Sequence, residues 1–471
     1  MSTNNQENFR DSIGTINEEG LRNWIHPKKP KGKYYNYRTI VSIVMMVLFA
    51  VGPFIKVNGE QYMLIDILER KFHIFGKPFF PQDFYLLALA AVISVVFLVL
   101  FTVVYGRIFC GWLCPQTIFM EMIFRKIEYL FEGDRPKQIK LDKTPWNSEK
   151  IMKRGLKWLV FLIVSFALTS IMLAYVAGSD YVIDLWKHPF GDVKSWLIFI
   201  AFTTVFFFVF TWFREQVCII ACPYGRLQGV LTDENTIMVA YDYKRGEGEK
   251  GRAPMRKNQD REAEGHGDCI DCKQCVQVCP TGIDIRDGVQ LECINCTACM
   301  DACDAIMDSI GKPKGLIRYA SSVSIEEGHS KLFTNRVKFY TVVLTILIGV
   351  FITLFANRTA IELKVFRDRN SVLTVMPDGS VQNNYNATII NKSMHAYNDL
   401  QVKLLGYEDA VIDIITDEDK LNLKKEEVKQ VSIVVKIPKT KIKGKKKVVF
   451  GIYDKGKLVD KFETKFIAPI N

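Results

Sequence analysis

The chain has 471 residues, of which 49% are hydrophobic and 24% are charged, with 62 Lys and Arg against 51 Asp and Glu. This composition excludes disordered, collagen-like and small disulfide-scaffold proteins, and it indicates that the apolar residues are collected in blocks. The net charge of +11 could suggest nucleic acid. However, most of the basic residues flank the apolar blocks, which favours a role in membrane orientation and predicts no nucleic-acid partner.

Five apolar blocks approach or exceed the roughly 18 residues that cross the core of a bilayer. They cover residues 39–57, 84–105, 158–178, 196–213 and 339–356, and the last four contain no charged residue. Buried helices of a soluble core are the alternative. The blocks therefore predict five transmembrane helices, four of them in the segment 39–213.

Basic residues in the connecting segments predict the orientation, because Lys and Arg are retained on the cytoplasmic side. The tail 1–38 has seven, residues 58–83 have three, residues 106–157 have eleven and residues 179–195 have two. The N-terminal tail and the long segment 214–338 are therefore predicted to be cytoplasmic, and residues 357–471 to lie outside.

Eight of the twelve cysteines form two runs with the same spacing. The first run is Cys269-x2-Cys272-x2-Cys275-x3-Cys279-Pro280, and the second is Cys293-x2-Cys296-x2-Cys299-x3-Cys303. In ferredoxins with two 4Fe-4S clusters, the fourth Cys of each run binds the other cluster. The spacing thus predicts one cluster on Cys269, Cys272, Cys275 and Cys303 and the other on Cys293, Cys296, Cys299 and Cys279. A zinc ribbon is the alternative, but it leaves half of each run unexplained.

One residue departs from this pattern, because Asp304 follows Cys303 where Pro is usual. An added carboxylate disfavours the more negative reduced state, which predicts a lower potential for the cluster that Cys303 serves.

The other four cysteines form two CxxxCP motifs, each just after an apolar block: Cys110 with Cys114, and Cys218 with Cys222. At i and i+4 on a helical turn, both sulfurs of a pair would face the same way. If the second and fourth helices are neighbours, four thiols converge on a site for a soft metal such as Cu(I), zinc or iron-sulfur. Arg107, Arg214 and Arg226 flank the motifs and would favour thiolates. Alternatively, each Cys is a small buried apolar residue.

Residues 360–471 contain short apolar runs separated by turn residues, and no cysteine. Six or seven short strands in this length predict a β-sandwich. The predicted fold class is thus a multi-domain membrane protein: a five-helix transmembrane bundle with an inserted dicluster ferredoxin-like domain and a C-terminal Ig-like β-sandwich.

The segments 105–116 (YGRIFCGWLCPQ) and 218–226 (CIIACPYGR), with the two cysteine runs and the sandwich, resemble cytochrome c oxidase accessory proteins of the CcoG/FixG type. The resemblance implies a bacterial inner-membrane protein with a periplasmic C-terminal domain that assists assembly of cbb-type haem-copper oxidases. It also implies reduction of Cu(II) to Cu(I), with oxidase subunits or copper chaperones as partners and a cytoplasmic electron donor.

From the residues alone, the two clusters can accept electrons, and Cys110, Cys114, Cys218 and Cys222 can hold copper and act as the catalytic site. Two alternatives stay open. A quinol-linked carrier would exchange electrons with the quinone pool, and a non-catalytic assembly scaffold would use the clusters only structurally.

Overall fold

The computed structural model describes residues 15, 21–57, 59–66, 71–74, 76–188, 191–256, 261, 263–368, 374–377, 379–407, 409–416, 420–438 and 441–469. The chain forms two compact units. The first contains residues 1–52, 90–174 and 180–348, and the second contains residues 53–89, 175–179 and 349–471.

Five helices have the length and apolar composition to cross a membrane, which confirms the predicted number among the described residues. Membrane helices 1 to 5 are Lys33–Val51, Phe84–Tyr105, Ser148–Val176, Val193–Phe208 and Asn335–Ala356. The first continues as a 3-10 turn to Phe54, and the fourth continues as a π-helix to Phe213. Helix 3 begins at Ser148, before the apolar block 158–178, because it also includes a polar segment.

In the first unit, short helices connect the membrane helices. They are Ile108–Trp112, Pro115–Ile118, the π-helix Phe119–Phe124, Arg125–Phe131, Arg135–Lys143, the π-helix Val217–Ala221 and Pro223–Leu231. The helix Ser179–Lys187 precedes membrane helix 4.

The segment with the cysteine runs is closed by an antiparallel pair of strands, Met238–Tyr241 and Ile317–Ala320. Between and after these strands lie the short helices Tyr243–Glu247, Gln274–Gln277, Ile285–Asp287, Ala298–Ser309 and Ser322–Glu326. Because the two strands flank both runs, the runs form one domain.

This domain contacts the start of membrane helix 1. The carboxylate of Asp301 accepts hydrogen bonds from the backbone N–H groups of Tyr34 and Tyr35, at 3.1 and 2.7 Å. The first N–H groups of a helix have no partner within it, and a carboxylate there is also favoured by the helix dipole. Asp301 therefore joins the cysteine domain to the helix as a cap supplied from outside it.

The second unit contains the predicted sandwich, and its strands pair antiparallel. One sheet has the order Val411–Ile415, Val428–Pro438, Ser380–Asn391 and Ile361–Arg367, with Thr374–Val375 beside Ser380–Asn391. The other has the order Leu421–Leu423, Tyr397–Leu405, Lys445–Asp454 and Lys457–Ile467. Inward side chains such as Ile433 and Phe450 are fully buried.

The same unit contains two small sheets. One pairs Lys56–Val57 with Glu60–Gln61, and the other contains Leu64–Asp66, Lys71–Ile74 and Lys77–Phe79.

Candidate functional site

Two neighbouring cavities in the cysteine domain are lined by the eight cysteines of the runs. The lining of the first includes Cys269, Cys272, Cys275 and Cys303. The lining of the second includes Cys279, Cys293, Cys296 and Cys299, and Cys275 lies between the two cavities. The structure thus brings together the same two sets of four that the spacing groups.

The two loops that carry the runs have the same unusual backbone. Asp271 and Lys273 in the first loop have φ of 49° and 55°, and Asn295 and Thr297 occupy the matching positions of the second with φ of 52° and 64°. Left-handed backbone is uncommon for residues other than glycine and is concentrated at functional sites. Alternating backbone of this kind also turns successive N–H groups toward a bound anion, as at many iron-sulfur sites.

The remaining walls of both cavities are largely apolar, with Ile283 and Ile285 in the second and Met307 and Ile317 in the first. Burial raises the pKa of the Cys293 thiol to about 12. Dry walls and four thiols suit a 4Fe-4S cluster, which needs thiolates and therefore releases protons when it binds.

The crossed pairing of the runs favours two clusters over a zinc ribbon, because each cavity takes its fourth thiol from the other run. Within the described residues, no group of three or more His, Cys, Asp or Glu, in the runs or in the CxxxCP motifs, is close enough to hold a single metal ion. All twelve cysteines are free, so disulfides do not account for the runs either.

The two CxxxCP motifs also share a backbone, although not the one expected. The N–H of Cys114 donates to the carbonyl of Phe109 at 2.9 Å, and the N–H of Cys222 donates to that of Val217 at 2.8 Å. Both second cysteines are extended, and each is followed by a Pro that begins a new helix. The predicted helical turn across each cysteine pair is thus wider than an α-helical turn, and it ends at the second cysteine because Pro disfavours a helical conformation of the residue before it.

The thiols of the two motifs lie near one another. The Cys218 thiol interacts electrostatically with those of Cys110, Cys114 and Cys222, and it is mostly buried. Burial raises the pKa of Cys110 to about 11 and that of Cys218 to about 12. Arg107 lowers the pKa of Cys110, but burial outweighs it, so the flanking charge does not produce a thiolate.

The first CxxxCP motif lies against the loop of the second cavity. A Cβ atom on Gly111 would lie 2.3 Å from the carbonyl oxygen of Ile294, so only glycine allows this approach. The indole N–H of Trp112 donates to the carbonyl of Asn295 at 3.3 Å. Cys110 packs against a buried group that includes Ile294 and Cys296. The first CxxxCP motif and the loop of the second cavity are therefore in direct contact.

Two buried arginines hold this junction, and sequence reasoning assigned neither of them that role. The guanidinium of Arg107 donates to the carbonyls of Gly225 and Leu291. Arg38 donates from Nε to the carbonyl of Gly111 at 2.7 Å. In the sequence, these two arginines are visible only as basic residues beside an apolar block or a CxxxCP motif. Such a position predicts the orientation in the membrane but no specific contact.

Three family models match the chain. They are a 4Fe-4S binding domain at residues 87–137, a 4Fe-4S dicluster domain at residues 213–322 and the IG-like fold at the C-terminus of FixG at residues 351–469. A crystal structure of a FixG-related protein from Vibrio parahaemolyticus matches 23% of this chain and 97% of its own length, with 20% identity and a TM-score of 0.20.

Several relatives match most of the chain. The chain is 36% identical to protein RdxA of Cereibacter sphaeroides, over 78% of this chain and 80% of RdxA. It is 32% identical to nitrogen fixation protein FixG of Rhizobium meliloti, over 79% of this chain and 77% of FixG. The chain therefore belongs to the FixG and RdxA family of membrane iron-sulfur electron-transfer proteins.

Proposed function

We propose that this protein reduces Cu(II) to Cu(I) at the thiols of Cys110, Cys114, Cys218 and Cys222, and so serves the assembly of a cbb-type haem-copper oxidase. The observation that carries the proposal is the direct contact between the first CxxxCP motif and the loop of the second cavity. Copper is the substrate. Thiolate ligands stabilise Cu(I) over Cu(II), so binding at these thiols favours the reduced ion.

The eight cysteines of the runs would hold the two clusters, which supply single electrons when they are bound. Each Cu(II) takes up one electron, and no bond in the protein needs to change. Gly111, Trp112 and Arg107 hold the first CxxxCP motif beside the cysteines that would bind the second cluster. The short path through this junction supports electron delivery to the thiols rather than a purely structural role for the clusters.

The proposal includes an orientation in the bacterial inner membrane. The alternating charge of the connecting segments supports a cytoplasmic location for the N-terminus and for residues 214–338, with residues 357–471 in the periplasm. Copper would enter at the cytoplasmic side, and oxidase subunits or copper chaperones would be the partners. The proposed reaction also requires a cytoplasmic electron donor as a partner of the protein.

Two matched variants test the site. Cys218→Ser should abolish Cu(I) binding and Cu(II) reduction while the iron content and the EPR signals stay unchanged. Cys303→Ser should lose one cluster but keep Cu(I) binding, since its thiol lines the first cavity instead. If Cys218→Ser protein reduced with dithionite still reduced Cu(II) at the parental rate, the copper site would lie elsewhere. If oxidase maturation in cells were also unchanged, a scaffold role would be favoured.

One observation favours a second candidate for the four thiols. The family model that covers Cys110 and Cys114 is described as a 4Fe-4S binding domain, so these thiols could hold a further cluster. Anaerobically purified protein should contain about eight iron and eight sulfide if there are two clusters. About twelve of each would favour three clusters. In that case, Cys218→Ser would lower the iron content by a third.

A further inference from the structure

One fully buried polar side chain contacts a thiol of the CxxxCP motifs. Gln228 lies in the helix Pro223–Leu231, directly after the second motif, and none of its surface is exposed. The Cys110 sulfur of the first motif lies 3.4 Å from its Nε2 and 3.8 Å from its Oε1. A buried amide costs free energy unless it is hydrogen bonded, so the sulfur is a partner that this amide needs.

A chain of hydroxyl groups fixes which way the Gln228 amide points. The Thr102 hydroxyl donates to the Leu98 carbonyl at 2.7 Å, so its oxygen accepts from the Tyr224 hydroxyl, also at 2.7 Å. Because its own proton is given to Thr102, the Tyr224 oxygen can only accept from Gln228, its other hydrogen-bond neighbour. An amide donates through its nitrogen alone, so Nε2 faces Tyr224 and the Cys110 sulfur. The amide therefore presents an N–H group to the sulfur.

The contact between Gln228 and Cys110 joins two helices that are also held together one turn earlier. Arg107 precedes Cys110 by one turn of its helix, and Gly225 precedes Gln228 by one turn of the other. The Arg107 guanidinium donates to the Gly225 carbonyl. Two neighbouring contacts therefore set the spacing of the two helices. The amide is thus in place before a metal binds, which is what a residue that orients a metal ligand requires.

The second motif has a corresponding polar neighbour at its first cysteine. Burial raises the pKa of the Cys218 thiol, and the Thr117 hydroxyl opposes this as a hydrogen-bond partner. Thr117 lies in the helix Pro115–Ile118, which follows the first motif. The first cysteine of each motif therefore faces a polar side chain from the helix after the other motif. Because this arrangement occurs twice, it favours a role at the sulfurs over incidental packing.

We propose that Gln228 is a positioning residue, which donates an N–H···S hydrogen bond to Cys110 when that sulfur holds a metal and so favours the reduced metal. Hydrogen bonds to a ligand sulfur stabilise its negative charge and raise the reduction potential of the bound metal. In the proposed reaction, Cu(II) gains one electron from the iron-sulfur centres, and no bond within Gln228 forms or breaks. The effect on copper rests on the proposed function, whereas the hydrogen bond applies to any metal at this thiol.

The test compares the purified full-length parent with Gln228→Met, whose side chain has a similar length but no donor. Chelator competition should show an affinity for Cu(I) that is about tenfold weaker, the lower end of what the loss of a ligand's hydrogen-bond partner costs. Co(II) is the second probe, because it does not change its valence when it binds. Its sulfur-to-metal charge-transfer band should move to longer wavelength, since the sulfur electrons lose the hydrogen bond that stabilises them. A merely structural role would leave this band in place.

Two further variants complete the comparison. Gln228→Glu keeps the shape of the side chain but replaces the N–H group by an acceptor, so it should weaken Cu(I) binding at least as much. Gln116→Met is the matched control, because Gln116 follows the first motif and, within the described residues, its buried Nε2 has no hydrogen-bond partner. This control should give the parental affinity and the parental band. An unchanged iron content checks that all three variants are folded.

An affinity and a band that are equal in the parent and in Gln228→Met would overturn the proposal, and so would equal losses in Gln116→Met. If the variants differ as expected but the parent reduces no Cu(II), the hydrogen bond stands and the proposed function fails. If Cu(II) is reduced while Gln228→Met binds Cu(I) like the parent, this proposal alone fails. If the four thiols hold a further cluster, its EPR midpoint potential should be lower in Gln228→Met, and an equal potential would overturn the proposal. A parent that binds no metal at these thiols would overturn both.

Discussion

The contact between the first CxxxCP motif and the second cysteine loop can be tested by adding one methyl group. In Gly111→Ala, the new Cβ would lie 2.3 Å from the Ile294 carbonyl oxygen, and 3.0 Å is the shortest distance that real Cβ atoms show. The two backbones must therefore separate by at least 3.0 − 2.3 = 0.7 Å. Neither atom belongs to a flexible side chain, so the strain cannot be relieved by a rotamer change.

The magnitude follows from two opposing effects. Overpacking of this kind costs about 1–3 kcal/mol. The helix Ile108–Trp112 gains about 0.5–1 kcal/mol when alanine replaces an interior glycine. Taken at their midpoints, these effects leave a net loss of about 1 kcal/mol, which should lower the temperature at which the iron-sulfur absorbance is lost by about 2–4 °C. The Cu(II) reduction rate should fall with it, because the thiols move away from the second loop.

Gly155→Ala is the matched control. Gly155 lies in membrane helix 3, and a Cβ there would meet nothing within 4 Å. This variant should be as stable as the parent or slightly more stable, with the same reduction rate. If Gly111→Ala behaved like Gly155→Ala in both measurements, the close approach of the two loops would be refuted.

Three further predictions concern charge, protons and topology. Asp304→Asn keeps an acceptor for the Gly315 N–H but removes a negative charge near Cys303, so redox titration by EPR should show one potential raised, by about 60 mV for each 1.4 kcal/mol of repulsion removed. An unchanged potential would contradict this prediction. Because burial raises the pKa of Cys110 and Cys218 to about 11 and 12, both thiols are protonated at neutral pH, and Cu(I) affinity should rise about tenfold per pH unit for each proton released. Chelator competition that is independent of pH would count against thiolate binding. Reporter fusions after Asn357 and within residues 214–338 should show opposite sides of the membrane, and equal sidedness would mean that a helix does not cross.

Much of the membrane region could be predicted because its signal is local. Membrane helix 2, Phe84–Tyr105, coincides with its apolar block since charge or a glycine ends it on both sides. The sandwich was predicted less completely. In the strand Ser380–Asn391, only residues 387–390 form an apolar run of the kind that predicts a strand, because the first half is rich in Asn, which is depleted in strands. There, buried Asn383 donates to the Ile467 carbonyl at 2.8 Å, a tertiary contact that overrides local preference.

The candidate site also has one part that could be predicted from the sequence and one part that could not. The cysteine runs could be recognised because metal-cluster ligands must recur at short fixed spacing. The left-handed backbone of Lys273 and Thr297 could not, since Thr is β-branched and rarely adopts it without tertiary support. The contact between Gly111 and Ile294 joins positions far apart in sequence. A glycine beside a cysteine is compatible with many structures, and only the packed loops show why a side chain is excluded.

Arg107 explains how the separate parts of the site are held together. Its guanidinium donates to Gly225, in the helix that follows the second CxxxCP motif, and to Leu291, just before the second cysteine run. Arg107 itself precedes Cys110 by one helical turn, so one side chain connects both thiol pairs with the second cavity. A lysine could not replace it, because a planar fork can serve two carbonyls that diverge, whereas an ammonium group at the same depth is a single point charge. The buried arginine is therefore required by the geometry of the junction, and its charge among the thiols is a secondary effect that burial outweighs.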